Sequence, residues 1–316
     1  MLEPVYRFAV GRRNAAFDRG RGVTGFDVPV ISIGNLSVGG TGKTPVVRVI
    51  IERLRAQGRT PAIAMRGYKA QPGRPSDEQA EYADLLGDVP VVAQPDRSAG
   101  ITELLRTRAD IDSVVLDDGF QHRAVARDLD IVLIDATRPP FSDRCLPAGW
   151  LREPVSSLER ADVLVLTRCD VSSAASLIER LRAYAKPVIQ TVHAWDGFES
   201  GTSGALAYEE LHQQKAVIAC AIGHPSAFVA QCEAAGVTIE ESVIQPDHHD
   251  WTQSETHRLE HLALGRDAII LTTGKDWVKL RRHARTPERY VRPRLRVRMD
   301  DDGSRALDAA LVSVLG

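Results

Sequence analysis

Aromatic residues are scarce in this chain, 5% of 316 positions, and cysteine is scarcer, with Cys145, Cys169, Cys220 and Cys232 alone. None of the four forms a Cys-x-x-Cys pair, which excludes a zinc site or a small disulfide framework and reads as reduced thiols. No stretch approaches the roughly 18 consecutive apolar residues of a transmembrane helix. The N-terminal apolar stretch is interrupted by Glu3 and Arg7, which excludes a signal peptide. Neither charge sign dominates: 40 basic residues face 42 acidic ones, a net charge of -2. General nucleic-acid binding needs a basic excess, so that class is excluded too. Internal repeats and low-complexity tracts are also lacking.

What is present is an alternation of short apolar runs and helical stretches. Strands are predicted at Val28 to Ile33, Thr60 to Met65, Pro90 to Val92, Ser113 to Leu116, Leu129 to Ile134 and Asp162 to Leu166. Near-continuous apolar strands separated by helices imply a parallel sheet covered on both faces. From His193 to Gln213 the chain is rich in Gly, Ser and Thr and loses its period, and the pattern resumes at Ala216. The expected fold is α/β: a P-loop NTPase-like, mostly parallel sheet flanked by helices, with a second, smaller α/β domain. The expected boundaries are an N-terminal amphipathic helix at 1–24, a core at 25–190, a linker at 191–215 and the smaller domain at 216–316.

After the first strand comes Ser37-Val38-Gly39-Gly40-Thr41-Gly42-Lys43-Thr44, and then a helix from Pro45 to Ala56. Glycines let backbone N–H groups curl around phosphate oxygens, and the helix N-terminus adds its positive end. Lys43 is expected on the β and γ phosphates of ATP and the Thr44 hydroxyl on Mg²⁺. The strict pattern has glycine at position 37, where this chain has Ser37.

Such a loop needs a second metal anchor, an acid at the end of a neighbouring apolar strand. Val114-Val115-Leu116 ends in Asp117-Asp118, and these two are the expected Mg²⁺ carboxylates. Asp135, ending the strand at Ile134, is a lesser candidate. Thr167-Arg168-Cys169-Asp170 sits where a guanine-reading Thr/Asn-Lys-x-Asp motif would, so a P-loop GTPase or metallochaperone-like nucleotide hydrolase is the rival reading. Arg168 in place of lysine, and the lack of a spaced switch motif, count against it.

Taken in order, several segments resemble one family, the tetraacyldisaccharide 4′-kinases that phosphorylate the lipid A precursor. They are Gly34 to Pro45, Arg66-Gly67-Tyr68, Asp77-Glu78, Asp96-Arg97, and Asp117-Asp118-Gly119-Phe120-Gln121-His122. Further along stand Leu146 to Gly149 with Leu151-Arg152-Glu153-Pro154, then Ile222 to Pro225, Asp247-His248, and Thr273 with Lys275-Asp276. The family's loop commonly has Ser or Thr at the position of Ser37. Departures are Lys69 for glycine, Gln79 for proline, Trp150 for proline and Gly274 for glutamate.

The resemblance implies transfer of the ATP γ-phosphate to the 4′-hydroxyl of tetraacyldisaccharide 1-phosphate, a step of lipid A biosynthesis. Lys43 and Asp118 would act at the phosphoryl group. The resemblance assigns removal of the hydroxyl proton to Asp77 paired with His248, with His249 a neighbouring rival. Arg66, Arg97, Gln121, His122, Arg152 and Glu153 are then candidates for holding the substrate. A lipid acceptor also favours a membrane-surface role for the N-terminal helix, where apolar Leu2, Val5, Phe8 and Phe17 mix with Arg7, Arg12 and Arg13. The expectation is a monomer, peripheral on the cytoplasmic face of the inner membrane.

Overall fold

A computed structural model describes residues 2–67, 76–170, 174–202, 204–223 and 225–315. Tyr68, Lys69 and His224, named above, lie outside the described residues. The chain divides into two compact units, one of residues 1–193 with 297–316 and one of residues 194–296.

The first unit opens with helix α1 (Leu2–Asp18) and then alternates strand and helix. Strand β1 (Val30–Asn35), helix α2 (Lys43–Ala56), β2 (Pro61–Met65), α3 (Asp77–Leu86) and β3 (Val91–Ala93) come first. Helix α4 (Arg97–Thr107), β4 (Ser113–Asp117), β5 (Leu129–Asp135), β6 (Val163–Thr167), α5 (Ala175–Leu181) and β7 (Val188–Ser200) follow. The sheet runs β3-β2-β4-β1-β5-β6-β7, and every pairing in it is parallel. β1 lies between β4 and β5, so the connections out of β1 and β4 leave to opposite sides. That is the topological switch point at whose carboxyl end α/β sheets bind ligands.

Both faces of this sheet are buried, which is why its strands read as apolar runs. On β5, Ile131 and Leu133 pack with α2, whose Val46, Val47, Ile50, Ile51 and Leu54 form one helical stripe. Val132 and Ile134 point the other way, to Leu158, Leu177 and Leu181. The last helix, labelled α9 below, adds Leu307, Leu311 and Leu315 to the α2 face. Each such buried leucine contributes about 1.5–3 kcal/mol of transfer free energy.

The second unit contains β8 (Ala205–Leu206), β9 (Lys215–Cys220), α6 (Pro225–Ala234), β10 (Thr238–Ile244), α7 (Gln253–Gly265), β11 (Ile269–Thr272) and α8 (Gly274–Leu280). Strand β12 (Tyr290–Met299) leads out of it to helix α9 (Asp301–Leu315) in the first unit. Here β9 pairs in parallel with β10 and β11, and β8 pairs antiparallel with β7. Phe228 and Cys232 of α6 cover one face, while Leu259, Ala263, Trp277 and Leu280 of α7 and α8 cover the other.

Two expected boundaries differ from this arrangement. Residues 191–215 are not a plain linker, since β7 continues to Ser200 and β8 follows. Its polar Gln190 and half-buried 192–196 stretch hide the strand from a search for apolar runs. Residues 297–316 group with the first unit rather than with 216–296, because the α9 leucine stripe is part of the α2-facing core.

Candidate active site

The phosphate loop leaves the end of β1 and enters α2 through Gly42, whose φ of +79° lies in the left-handed region open to glycine. Asn35, the last residue of β1, sits beneath it: its amide donates to the Ser37 carbonyl at 2.6 Å, and its oxygen accepts from Lys43 Nζ at 3.0 Å. A buried asparagine thus fixes the loop entry and points the ammonium at once.

Asp117 and Asp118 end the neighbouring β4. Asp117 is the strand's last residue and Asp118 leaves it in a left-handed conformation, and the two acids separate at that turn. Asp117 is buried and accepts from Tyr82 Oη of α3 at 3.1 Å. Asp118, at φ +54°, turns toward Lys43, whose Nζ lies 3.3 Å from its Oδ1. Its Oδ2 accepts from Arg152 at 2.7 Å, and its backbone carbonyl from buried Arg97 at 2.9 Å.

The Asp-Asp-Gly-Phe-Gln-His turn can lie this close to β1 because position 34 is glycine. A Cβ there would meet Phe120 Cβ at 2.5 Å and its backbone nitrogen at 2.6 Å. Gln121 then donates to the Asn35 carbonyl at 2.9 Å and accepts from Arg152 at 3.3 Å. Arg152 arrives on a short ladder with the loop itself: Val38 N–H donates to the Trp150 carbonyl at 2.8 Å, and Arg152 N–H to the Leu36 carbonyl at 2.7 Å.

The two acids titrate apart. Burial pushes the Asp117 carboxyl above the ordinary carboxylate range, against the pull of Lys43. Burial pushes Asp118 the same way, but the Lys43 and Arg152 charges together outweigh it and hold this carboxyl below its ordinary value. His122 is driven down to about 4, first by burial and then by the charges of Arg97 and Arg127, with Arg66 adding to them. Arg97 is itself lowered, chiefly by burial.

Among the described residues, no hydrogen-bond donor reaches the buried Asp117 Oδ1 and Asp118 Oδ1. The Lys43 contact to the latter is one of charge, without hydrogen-bond alignment. Two such oxygens with the Thr44 hydroxyl at the start of α2 suit Mg²⁺, which takes one or two carboxylates and leaves the remaining positions to phosphates and water.

Other predicted residues lie elsewhere. The carboxylate of Glu153, fully buried, is engaged by Arg160 and Asn14, both at 2.9 Å, and by Arg13 at 3.6 Å. Oε2 carries both hydrogen bonds and fastens α1 to the rest of its unit, while Oε1 meets Arg13 by charge alone. Asp135 pairs with Arg168 and accepts from Thr137, so its carboxylate is occupied. Arg168 and Thr167, the residues of the guanine-motif rival, hold loop carbonyls: Thr167 Oγ1 donates to Thr41 O at 3.0 Å and Arg168 to Gly40 O at 2.7 Å.

Asp77 begins α3, where Ser76 caps the helix by accepting from Gln79 N–H at 3.2 Å. In the second unit His248 has φ +66° and its N–H donates to the Ala221 carbonyl at 3.2 Å. His249 is committed to Glu255, 3.0 Å away, and packs edge-on against Trp251. Buried Asp276 supports the same loop, accepting from Ala221 N–H and Trp251 Nε1 at 3.0 Å each and from Thr273 Oγ1 at 2.6 Å. Asn35 and Tyr82 were not singled out from sequence. Asn35 lies within the Gly34-to-Pro45 match and could have been found there; Tyr82, an unremarkable helix residue, carried no signal.

Comparison with known proteins gives the family. The family model for tetraacyldisaccharide-1-P 4′-kinase, LpxK, matches residues 1–315. A tetraacyldisaccharide 4′-kinase of Chlorobaculum parvum is 33% identical, covering 98% of this chain and 92% of the relative. One from an Anaeromyxobacter species is 35% identical, covering 98% and 90%. The crystal structure of LpxK from Aquifex aeolicus in complex with ATP superposes with a TM-score of 0.79 at 28% identity, covering 100% of this chain and 98% of that one. On the match across its length and these identities, the chain belongs to the tetraacyldisaccharide-1-P 4′-kinase family.

Proposed function

We propose that this chain transfers the γ-phosphate of ATP to the 4′-hydroxyl of tetraacyldisaccharide 1-phosphate, giving ADP and the 4′-phosphorylated lipid. The observation that carries the reading is the meeting of Lys43, Asp118 and Arg152 at the carboxyl end of β1 and β4. Phosphoryl transfer asks a protein mainly for positioning and charge neutralisation. Loop N–H groups and the α2 N-terminus would cradle the phosphates, with Lys43 leaving Asp118 for the β and γ oxygens. Arg152 and Arg97 would face the charge that develops on the moving phosphoryl group. Mg²⁺, held by Thr44, Asp117 and Asp118, would neutralise the phosphate oxygens.

As the 4′-oxygen bonds to the γ-phosphorus, the bond from that phosphorus to the bridging oxygen of ADP breaks, and the hydroxyl proton must leave. We assign the removal of that proton to Asp77 and His248, as the family resemblance implies, a carboxylate and an imidazole being suited to general base work. Arg66, Gln121 and His122 are assigned to holding the acceptor.

The reading extends to the membrane. Leu2, Val5 and Phe8 of α1 are 65 to 69% exposed, while Tyr6, Val10 and Asn14 dock the helix on the first unit. Exposed apolar residues beside Arg7 and Arg12 suit an interface with anionic headgroups. No helix among the described residues is long and apolar enough to cross a membrane. The proposed enzyme is a monomer, peripheral on the cytoplasmic face of the inner membrane. Thin-layer separation of lipid products after incubation with γ-labelled ATP and the disaccharide tests the function. Label should move to the lipid, and a reaction that releases only free phosphate would overturn the reading.

A further inference from the structure

The Thr167-Arg168-Cys169-Asp170 corner at the end of β6 has no task in the chemistry above, yet it touches the phosphate loop. Arg168 donates to the Gly40 carbonyl at 2.7 Å and Thr167 Oγ1 to the Thr41 carbonyl at 3.0 Å. Across a trans peptide a carbonyl and the following N–H point in opposite directions. Fixing the Gly40 and Thr41 carbonyls therefore aims the Thr41 and Gly42 N–H groups out of the other side of the loop. Two convergent N–H groups are what an anion-binding nest needs.

The corner is built for this. Arg168 holds φ +60°, a conformation that side chains other than glycine rarely adopt and that persists only where surroundings enforce it. Its guanidinium is paired with Asp135 from the end of β5, which is itself oriented by Thr137. Thr191 of β7 ties the corner down by donating to the Leu166 carbonyl at 2.8 Å, and the Cys169 N–H returns to the Thr191 carbonyl at 3.1 Å. The His193 ring fills the space where a side chain on Gly42 would stand. Three consecutive loop residues are thus gripped from behind by β6 and β7.

We propose that Arg168, oriented by Asp135, is a positioning residue that presets the phosphate loop for the nucleotide, with Thr167 as its partner. It rests on the loop binding ATP and not on the identity of the acceptor. The test is a direct titration of ATP and ADP into the full chain carrying Arg168→Met, Arg168→Lys, Asp135→Asn or Thr167→Val. Arg168→Met should weaken both nucleotides about tenfold, as loss of a charge-assisted hydrogen bond does. The ATP-over-GTP ratio and the KM for the lipid should stay unchanged, and Arg168→Lys should recover part of the loss. Should Arg168→Met fail to fold, Thr167→Val, which removes a single hydroxyl, carries the test with an expected loss of about threefold. ATP affinity within twofold of the parent in a folded Arg168→Met (or, failing that, in Thr167→Val) would overturn the proposal. So would a changed ATP-over-GTP ratio, which would make the corner a base reader. If lipid phosphorylation is absent from the parent while Arg168→Met still loses nucleotide affinity, the proposed acceptor is wrong and this inference stands.

Discussion

Arg152 donates to Asp118 at 2.7 Å although 34 residues separate them in sequence. What closes that gap is backbone pairing: Leu36 and Val38 at the start of the phosphate loop bond to Arg152 and Trp150. The arginine is therefore indexed to the loop, and the carboxylate to the adjacent strand. Lys43, on the other side of Asp118, completes a chain of alternating charge that is ready to reorganise around a triphosphate.

The first prediction concerns this chain of charge. Lys43→Ala and Asp118→Asn should each lower turnover by about 10²-fold or more, the cost of removing one preorganised electrostatic partner. Initial rates of lipid phosphorylation at saturating ATP check it. Activity within fivefold of the parent in either variant would remove that residue from the reaction.

The proton path makes a separate claim. Asp77→Ala and His248→Ala should reduce kcat by roughly 10²–10⁴-fold, the span of general base catalysis, while ATP affinity stays constant. Titration of nucleotide alongside steady-state rates separates the two quantities. Near-parental kcat in both variants would send the search to another base.

His122 supplies a pH prediction. Its folded value of about 4 lies below the ordinary 6.5, because burial and the arginine charges disfavour the imidazolium. Between these two values the unfolded chain binds the proton and the folded chain does not, so this group's contribution to stability is intact above 6.5 and falls as pH drops toward 4. Histidine NMR signals followed through acid should place His122 near 4. In His122→Asn, denaturation midpoints should fall less steeply over that window than in the parent.

For the N-terminal helix, replacing Leu2, Val5 and Phe8 with serine should weaken co-sedimentation with anionic phospholipid vesicles severalfold. Exposed positions of this kind change stability by only about 0.5 kcal/mol, so the melting temperature should hold. Unchanged vesicle binding would locate the membrane contact elsewhere.

Asp276 marks a structural counterpart. Asp276→Ala strands two buried donors, Ala221 N–H and Trp251 Nε1, at about 1–3 kcal/mol each. Denaturant unfolding should register a loss of roughly 2–6 kcal/mol. A loss below about 0.5 kcal/mol would mean water replaces the carboxylate.

The parallel sheet and the phosphate loop were legible because each rests on local chemistry: apolar runs for β1, β4, β5 and β6, and a Gly-Lys-Thr ending between strand and helix. The paired acids were legible for the same reason, sitting where an apolar strand stops. What stayed hidden depends on distant partners. Glu153 looked like a pocket residue beside Arg152, but alternate positions of an extended segment face opposite ways, and its side chain turned inward to Asn14 and Arg160. Tyr82 gave no sign of its reach to Asp117, and the second half of β7 was masked by its polar composition. The family order supplied Asp77 and His248, which neither spacing nor periodicity would have singled out.

The placement of α9 bears on how the protein is made. A ribosome delivers β1, the phosphate loop and both acids before the 194–296 unit, yet Leu307, Leu311 and Leu315, which seal the α2 side of that core, emerge only after it. During synthesis the α2 side of the core lacks that cover while the whole 194–296 unit is translated. Nascent chains stalled before residue 300 should thus be protease-sensitive at α2, and protection there should arise only once α9 clears the exit tunnel.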